Sequence, residues 1–274
     1  MVKPIQWTPE LVEKFWSGVA QTRLAELSFS RHNADSLIEL IQGHLQSDGR
    51  HLDFGAGDGD LVKALIEKGY ATGAYEPVRA RSSRIPATVL NSPNFLGTIQ
   101  QSSSERFDVV LMVEVIEHIL EQDLVGVLLQ VKSLLADNGT LIVTTPNSED
   151  LDLSAAYCPQ CETLFHRWQH QRSFTAESLP EFLAQHGFEC LSIRQVDFSS
   201  NRFIFDDLRN LNEEIQNMRQ QQHRSFIGRI KRFITRKGVE QRKNPPRVVQ
   251  GPHPNLIYVG RRAPNSGRSA VVPT

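Results

Sequence analysis

Apolar residues recur at helical spacing near the start of the chain. Trp7, Leu11, Phe15, Trp16 and Val19 follow one face, and Thr8-Pro9-Glu10 supplies a helix start with proline in the first turn. A second helix is expected over 33–46, closed by Asp48-Gly49. From Arg50 the period changes. Short apolar strands are expected at 50–54, 71–75, 89–90, 107–113, 140–144, 190–196 and 256–259. Helical stretches fall between them at 61–68, 123–135 and 175–186. Strands alternating with helices predict an α/β fold, with a mostly parallel sheet covered by helices on both faces.

Two stretches break that rhythm. Residues 150–174 read as a loop holding two cysteines and two histidines, and 202–243 read as a polar helix followed by a basic amphipathic stretch. The expected organisation is an N-terminal helical cap over 1–46 and a core over 47–200. A basic helical insert over 201–250, a last strand over 251–262 and a disordered tail over 263–274 complete it.

Charge sharpens the contrast between body and insert. Residues 1–201 carry 15 Lys and Arg against 26 Asp and Glu, a net −11; residues 202–274 carry 15 against 5, a net +10. A basic segment on an acidic body fits an anionic surface, or a solvated cationic helix. The 274 residues suit one domain with embellishments. No apolar run nears the roughly 20 residues that span a bilayer, no signal-peptide core opens the chain, and three cysteines make no disulfide framework, so a cytoplasmic location is expected.

Between the strand at 50–54 and the helix at 61–68 lies Asp53-Phe54-Gly55-Ala56-Gly57-Asp58-Gly59. The glycines permit a tight turn and close approach of a ligand to bare backbone at the start of a helix. No Gly-Lys-Ser/Thr follows, and the spacing is G-x-G-x-G rather than the dinucleotide G-x-G-x-x-G. Seventeen residues after Gly59, Ala74-Tyr75-Glu76 ends the next strand with a carboxylate able to accept both hydroxyls of a ribose.

On these residues the chain resembles the class I S-adenosylmethionine-dependent methyltransferases. Residues 51–59 look like their first motif, Glu76 like their ribose-binding acid, and Phe107 to His118 like their fourth-strand motif; Thr144-Thr145-Pro146-Asn147 also fits. The resemblance covers roughly 45–200, with 256–259 as a last strand. It implies a Rossmann-like sheet of seven strands and S-adenosylmethionine as methyl donor. Asp53, Gly55, Ala56, Gly57, Gly59, Glu76, Val113 and Glu114 would then line the donor site. The family often places an acid after its third strand to hold adenine, and this chain reads Asn91-Ser92-Pro93-Asn94-Phe95 there.

Glu114, Glu117 and His118 stand at i, i+3 and i+4, which share one face if the segment is helical. Two carboxylates and an imidazole there could hold a divalent ion, could make His118 a base, or could be structural. Glu-Val-Ile-Glu-His is similar to the motif of small-RNA 2′-O-methyltransferases and of ubiquinone-biosynthesis O-methyltransferases. The first resemblance implies a Mg or Mn site at Glu114, Glu117, His118 and His170. Without metal, His118, His170 and Glu114 are the candidate catalytic residues.

Cys158-Pro159-Gln160-Cys161 is half a zinc site, which His166 or His170 could complete, though the spacing is tight. No thioredoxin-like context favours a redox role. His166, Arg167, Trp168, His170 and Arg172 form a polar-aromatic set suited to gripping an acceptor. In the basic insert, Phe226, Ile230, Phe233 and Ile234 alternate with Arg229, Lys231 and Arg232, a pattern that suits an anionic membrane surface or a helix packed on its own domain. Nucleic acid has no motif or aromatic platform in its favour. The expected activity is O-methylation of a small-molecule or glycan/lipid-precursor acceptor. The alternatives are metal-assisted RNA 2′-O-methylation and non-catalytic binding of S-adenosylmethionine.

Overall fold

The computed structural model describes residues 2–198, 247–248 and 254–264. The basic insert and the tail expected beyond 264 lie outside the described residues. Short β1 (Lys3–Pro4) precedes α1 (Pro9–Ala20), a 3-10 turn at Arg23–Leu27 and α2 (Phe29–Ile41). The alternating core follows: β2 (Arg50–Phe54), α3 (Asp60–Glu67), β3 (Ala71–Tyr75), α4 (Arg79–Ser82), α5 (Ala87–Leu90), β4 (Phe95–Thr98), β5 (Phe107–Val113), α6 (Glu121–Leu134) and β6 (Leu135–Pro146). Then come β7 (Ala155–Cys158), β8 (Thr163–His166), α7 (Ser178–Gln185), β9 (Phe188–Asp197), the two-residue β10 (Arg247–Val248) and β11 (Asn255–Arg262).

The main sheet has the order β10-β9-β11-β6-β5-β2-β3-β4. Its seven longer strands run parallel except β11, which pairs antiparallel with both β6 and β9. This is the seven-stranded, mostly parallel Rossmann-like sheet the sequence implied. Alternation along β5 shows how it is covered. Val110 and Met112 join α6 and α7 residues such as Leu128, Val131 and Leu183 on one face. Val109, Leu111 and Val113 join Leu37, Ile41, Leu61 and Leu65 of α2 and α3 on the other. Each fully buried leucine contributes roughly 1.5–3 kcal/mol of transfer free energy. Among the described residues no helix is long and apolar enough to cross a membrane.

Several expected elements are shifted, each for a local reason. Thr8 caps α1 by accepting from Leu11 N at 3.3 Å, with Pro9 next, as the sequence proposed. In α2 the cap is Ser28, which accepts from Arg31 N at 3.4 Å, so the helix begins at Phe29 and not at Asn33. Residues 89–90 are not a strand. Pro86 starts the single helical turn α5, which buries Val89 and exposes Leu90, and the strand is β4, paired parallel with β3. The segment at 150–174 is not all loop: β7 and β8 form a hairpin that joins β1 in a separate three-stranded sheet.

Candidate active site

A cavity of about 870 Å³ opens at the carboxyl ends of β2, β5 and β6, the edge at which open α/β sheets bind ligands. Gly55 and Ala56 border it from β2, Val113 and Glu114 from β5, and Pro146, Asn147, Ser148 and Glu149 from β6. The N-terminal elements close one side with Trp16, Leu24, Leu27, Phe29 and Asn33, and Arg167, Trp168 and His170 close another.

The glycine loop is turned by its neighbour strand. Gly55 N and Ala56 N both donate to Tyr75 O, at 2.7 and 2.9 Å, and Gly57 N donates to Glu76 Oε2 at 2.8 Å. Glu76 Oε1 accepts from Val78 N at 2.8 Å. These amides are therefore satisfied within the protein, and what the loop offers a ligand is bare Cα surface and the second lone pairs of Glu76. Gly55 has φ +91° and an added Cβ would lie 2.5 Å from Val115 Cγ2. Gly57 has φ +55°, and the Arg81 guanidinium lies where its Cβ would be. Arg81 reaches this place by stacking 4.9 Å over the Trp16 ring and facing Asp58 at 3.5 Å. Gly59, at φ +83°, starts α3. Asp53 is buried below the loop, and burial, reinforced by Glu76, pushes its carboxyl up to about 8 against the pull of Arg81. Burial also raises Glu76.

The Glu-x-x-Glu-His segment is not on a helix. Glu114 adopts φ +53° at the end of β5, residues 116–118 form a turn closed by His118 N to Val115 O, and α6 begins only at Glu121. The left-handed residue turns the chain away from the strand, so Glu114 and Glu117 reach different partners. Glu114 Oε1 accepts from the Thr144 hydroxyl at 2.8 Å, and burial pushes its carboxyl up to about 7. Glu117 Oε2 accepts from Thr145 at 3.1 Å, while its buried Oε1 has no hydrogen-bond partner; burial holds this carboxyl well above its usual value. His118 Nδ1 is likewise buried without a partner, and burial with His170 nearby keeps the ring well below its usual value.

Around His170 the structure closes a ring that the sequence reading missed. His166 Nδ1 accepts from the backbone N–H of Trp168 at 3.3 Å and of His170 at 3.1 Å, so its proton sits on Nε2, which donates to Glu149 Oε1 at 3.2 Å. Glu149 Oε2 accepts from His170 Nδ1. That leaves His170 Nε2 as the acceptor nitrogen of the neutral ring. Glu149 outweighs its own burial through these two histidines and is held down at about 2. The signal was available: Glu149 stands three residues beyond the strand end at Pro146, on the sheet's ligand edge. Gln169, buried at φ +65°, donates to His118 O at 2.8 Å and accepts from Trp16 Nε1 at 2.9 Å.

Two ligand groups converge among the described residues: Glu117, His118 and His170, and Glu149, His166 and His170. Glu114, expected beside the first group, is outside it. Cys158 and Cys161 belong to neither and sit at the tip of the β7–β8 hairpin, with His166 at its base. The Cys161 thiol is lowered by its hydrogen bond with Thr163. Arg172 does not face an acceptor. Its guanidinium donates to Ile116 O and Ile119 O and pairs with Glu121 at 3.0 Å, which fixes the 116–119 turn.

A family model described as a methyltransferase domain matches residues 27–193. The chain belongs to this methyltransferase family. Solved structures agree on the fold of the methyltransferase. The 1,6-didemethyltoxoflavin-N1-methyltransferase of Burkholderia thailandensis, bound to 1,6-didemethyltoxoflavin and S-adenosylhomocysteine, is 15% identical with a TM-score of 0.57, over 96% of this chain and 95% of that one. The DhpI–S-adenosylhomocysteine complex is 13% identical with a TM-score of 0.56, over 93% and 97%. A possible histamine N-methyltransferase of Thermotoga maritima is 16% identical with a TM-score of 0.53, over 92% and 98%. No curated protein matches the chain in sequence. The methyltransferase is a class I enzyme by family and fold.

Proposed function

We propose that this methyltransferase takes its methyl group from S-adenosylmethionine and delivers it to a hydroxyl of a small-molecule acceptor, with His170 as general base. The observation that carries the reading is the Glu149–His170 hydrogen bond at a cavity that Gly55, Ala56 and Asp58 of the glycine loop also line. A neutral amine can attack a sulfonium methyl unaided, but a hydroxyl benefits from losing its proton, so a built base favours oxygen. Two of the three neighbours named above are described as N-methyltransferases, one of them possibly so; at 15% and 16% identity their acceptors do not carry over to this chain. The DhpI and toxoflavin-enzyme structures hold S-adenosylhomocysteine, which supports the donor.

In this reading Glu76 holds the ribose, and Gly55 and Gly57 let the donor lie against the backbone. Arg81 moves from above Gly57 as the donor enters. The acceptor oxygen attacks the methyl carbon in line with the departing sulfur, and the hydroxyl proton passes to His170 Nε2. Glu149 stabilises the imidazolium that forms. Such a base typically supplies about 10²–10⁴-fold.

A second reading is favoured by the buried, unpartnered Glu117 Oε1, which lies 3.9 Å from His118 Nε2. With His170 they could hold a divalent cation, and two imidazoles with one carboxylate suit Mn²⁺ better than Mg²⁺. Such an ion would act as a Lewis acid toward an acceptor hydroxyl. The same His170 nitrogen cannot serve both readings if it binds the ion.

Calorimetric titration of S-adenosylmethionine into wild type and Glu76→Ala tests the donor site; equal affinity discards the ribose assignment. Assays of chelated enzyme with and without Mn²⁺ separate the two catalytic readings. Binding of the donor with no S-adenosylhomocysteine formed from any acceptor would leave a non-catalytic binding protein. The membrane-surface expectation rests on 202–243, outside the described residues.

A further inference from the structure

The β7–β8 hairpin brings two thiols together away from the cavity. Cys158 is the cross-strand partner of Thr163, and such partners project on the same face of a sheet. Cys161, in the turn between them, has its Sγ 2.8 Å from Thr163 Oγ1. Thr163 therefore stands beside both cysteines, opposite Cys158 in the ladder and bonded through its hydroxyl to Cys161. Glu162 at φ +55° turns the chain so that this happens. Cys161 is exposed and Cys158 half-buried. Among the described residues the two cysteines join no group of three metal-ligating side chains.

We propose that Cys158 and Cys161 are a reactive dithiol that closes to an intramolecular disulfide by exchange with a low-molecular-weight disulfide of the glutathione class. Cys161 is the attacking thiol and Cys158 the resolving one. Cys161 thiolate attacks one sulfur of the small disulfide; that S–S bond breaks, one small thiol leaves, and a mixed disulfide forms. Cys158 thiolate then attacks Cys161 Sγ and expels the second small thiol. Two protein thiols are oxidised, one disulfide is reduced to two thiols, and the two protons end on the released thiols. Exposure and the Thr163 hydroxyl assign the first step to Cys161. The sequence offered no thioredoxin-like helix for this role; a strand hydroxyl stands in its place. This site is independent of the methyl-transfer reading.

The test uses the reduced full chain, incubated with oxidised glutathione and read by intact mass and peptide mapping. Wild type is expected to lose two hydrogens, with the link mapped to Cys158–Cys161 and Cys190 still free. Cys158→Ser should accumulate one stable glutathionyl group on Cys161. Cys161→Ser should react at least about tenfold more slowly. Both substituted positions are outside the core, and melting curves matching wild type verify that the variants fold. Three free thiols persisting in wild type would overturn the proposal, as would equal reaction rates for the two variants. So would stoichiometric zinc in the isolated chain that shields the pair, which would assign it to metal.

Discussion

Glu149 accepts the hydrogen bond of His170 Nδ1–H and so decides which nitrogen of that ring is left to take a proton. The same carboxylate is bonded by His166, whose Nδ1 accepts the backbone N–H of His170 itself. The ring is closed, and the tautomer of each histidine follows from its other partners.

Glu149→Gln keeps the shape of this carboxylate and removes its charge. Without the anion opposite Nδ1, we expect turnover to fall about 10–100-fold while donor affinity is unchanged. The pH dependence of stability has a definite sign. A carboxyl held at about 2 in the fold and 4.5 outside it stabilises fully above its ordinary value, and that contribution is lost as pH falls from about 4.5 through about 2. The drop from 4.5 to about 2 corresponds to at most about 3–4 kcal/mol. Acid unfolding followed by denaturant titration should show this loss in wild type and a smaller one in Glu149→Gln. Identical acid limbs would remove the ion-pair ring.

Asp53 has the opposite sign. Its carboxyl, pushed up to about 8, is protonated in the fold at neutral pH, so its contribution is fully present below its ordinary value and is lost as pH rises through about 8. Asp53→Asn should flatten the stability profile between pH 4 and 8 and be more stable than wild type above it. A sulfonium donor placed near this group favours the anion, so binding should expel protons. Calorimetry at pH 7 in buffers of different ionisation heat should detect proton release in wild type and less in Asp53→Asn.

Gly55→Ala combines a left-handed backbone with a Cβ 2.5 Å from Val115 Cγ2. The expected cost is about 1–3 kcal/mol in stability, with a more than roughly tenfold loss of donor affinity as the loop shifts. Gly126→Ala is the control, since its Cβ would meet nothing within 4 Å on α6; about 1 kcal/mol of added stability is expected there. Thermal melts of the pair separate loop geometry from a general intolerance of alanine.

Legibility in the sequence tracked how local each signal was. The cap at Thr8 and the short apolar runs at 50–54 and 107–113 specified their elements directly, because one run of residues carried both burial and punctuation. Glycine spacing with Glu76 disclosed the loop for the same reason. Val89 misled because one buried branched residue satisfies a helical turn as well as a strand. The Glu114–His118 segment misled because its spacing suits a helix, whereas the left-handed Glu114 that breaks it is a conformation that tertiary bonds to Thr144 hold in place. The histidine ring was hidden because Glu149, His166 and His170 meet only after β6 and the hairpin fold against each other. Arg172 looked like an acceptor ligand because only the structure reveals the carbonyls of Ile116 and Ile119 that occupy it.

Trp16 ties the N-terminal helix to this ring. Its Nε1–H donates to Gln169 Oε1 at 2.9 Å, its ring meets His118 edge-on at 5.0 Å, and Arg81 lies on its face. Gln169 in turn donates to the carbonyl of His118 at 2.8 Å. Trp16→Phe strips the donor from a buried amide oxygen, which should cost about 1–3 kcal/mol, and Gln169→Met removes both of its bonds. If the two residues act as one strut, their effects should fall short of additive by about 1 kcal/mol in a double-mutant cycle measured by denaturant unfolding. The kinetic consequence should appear chiefly in turnover, since the strut positions His118, whose ring packs edge-on against His170 at 4.7 Å, and not the ribose. A change confined to donor affinity would mean that Trp16 acts through Arg81 above Gly57 instead.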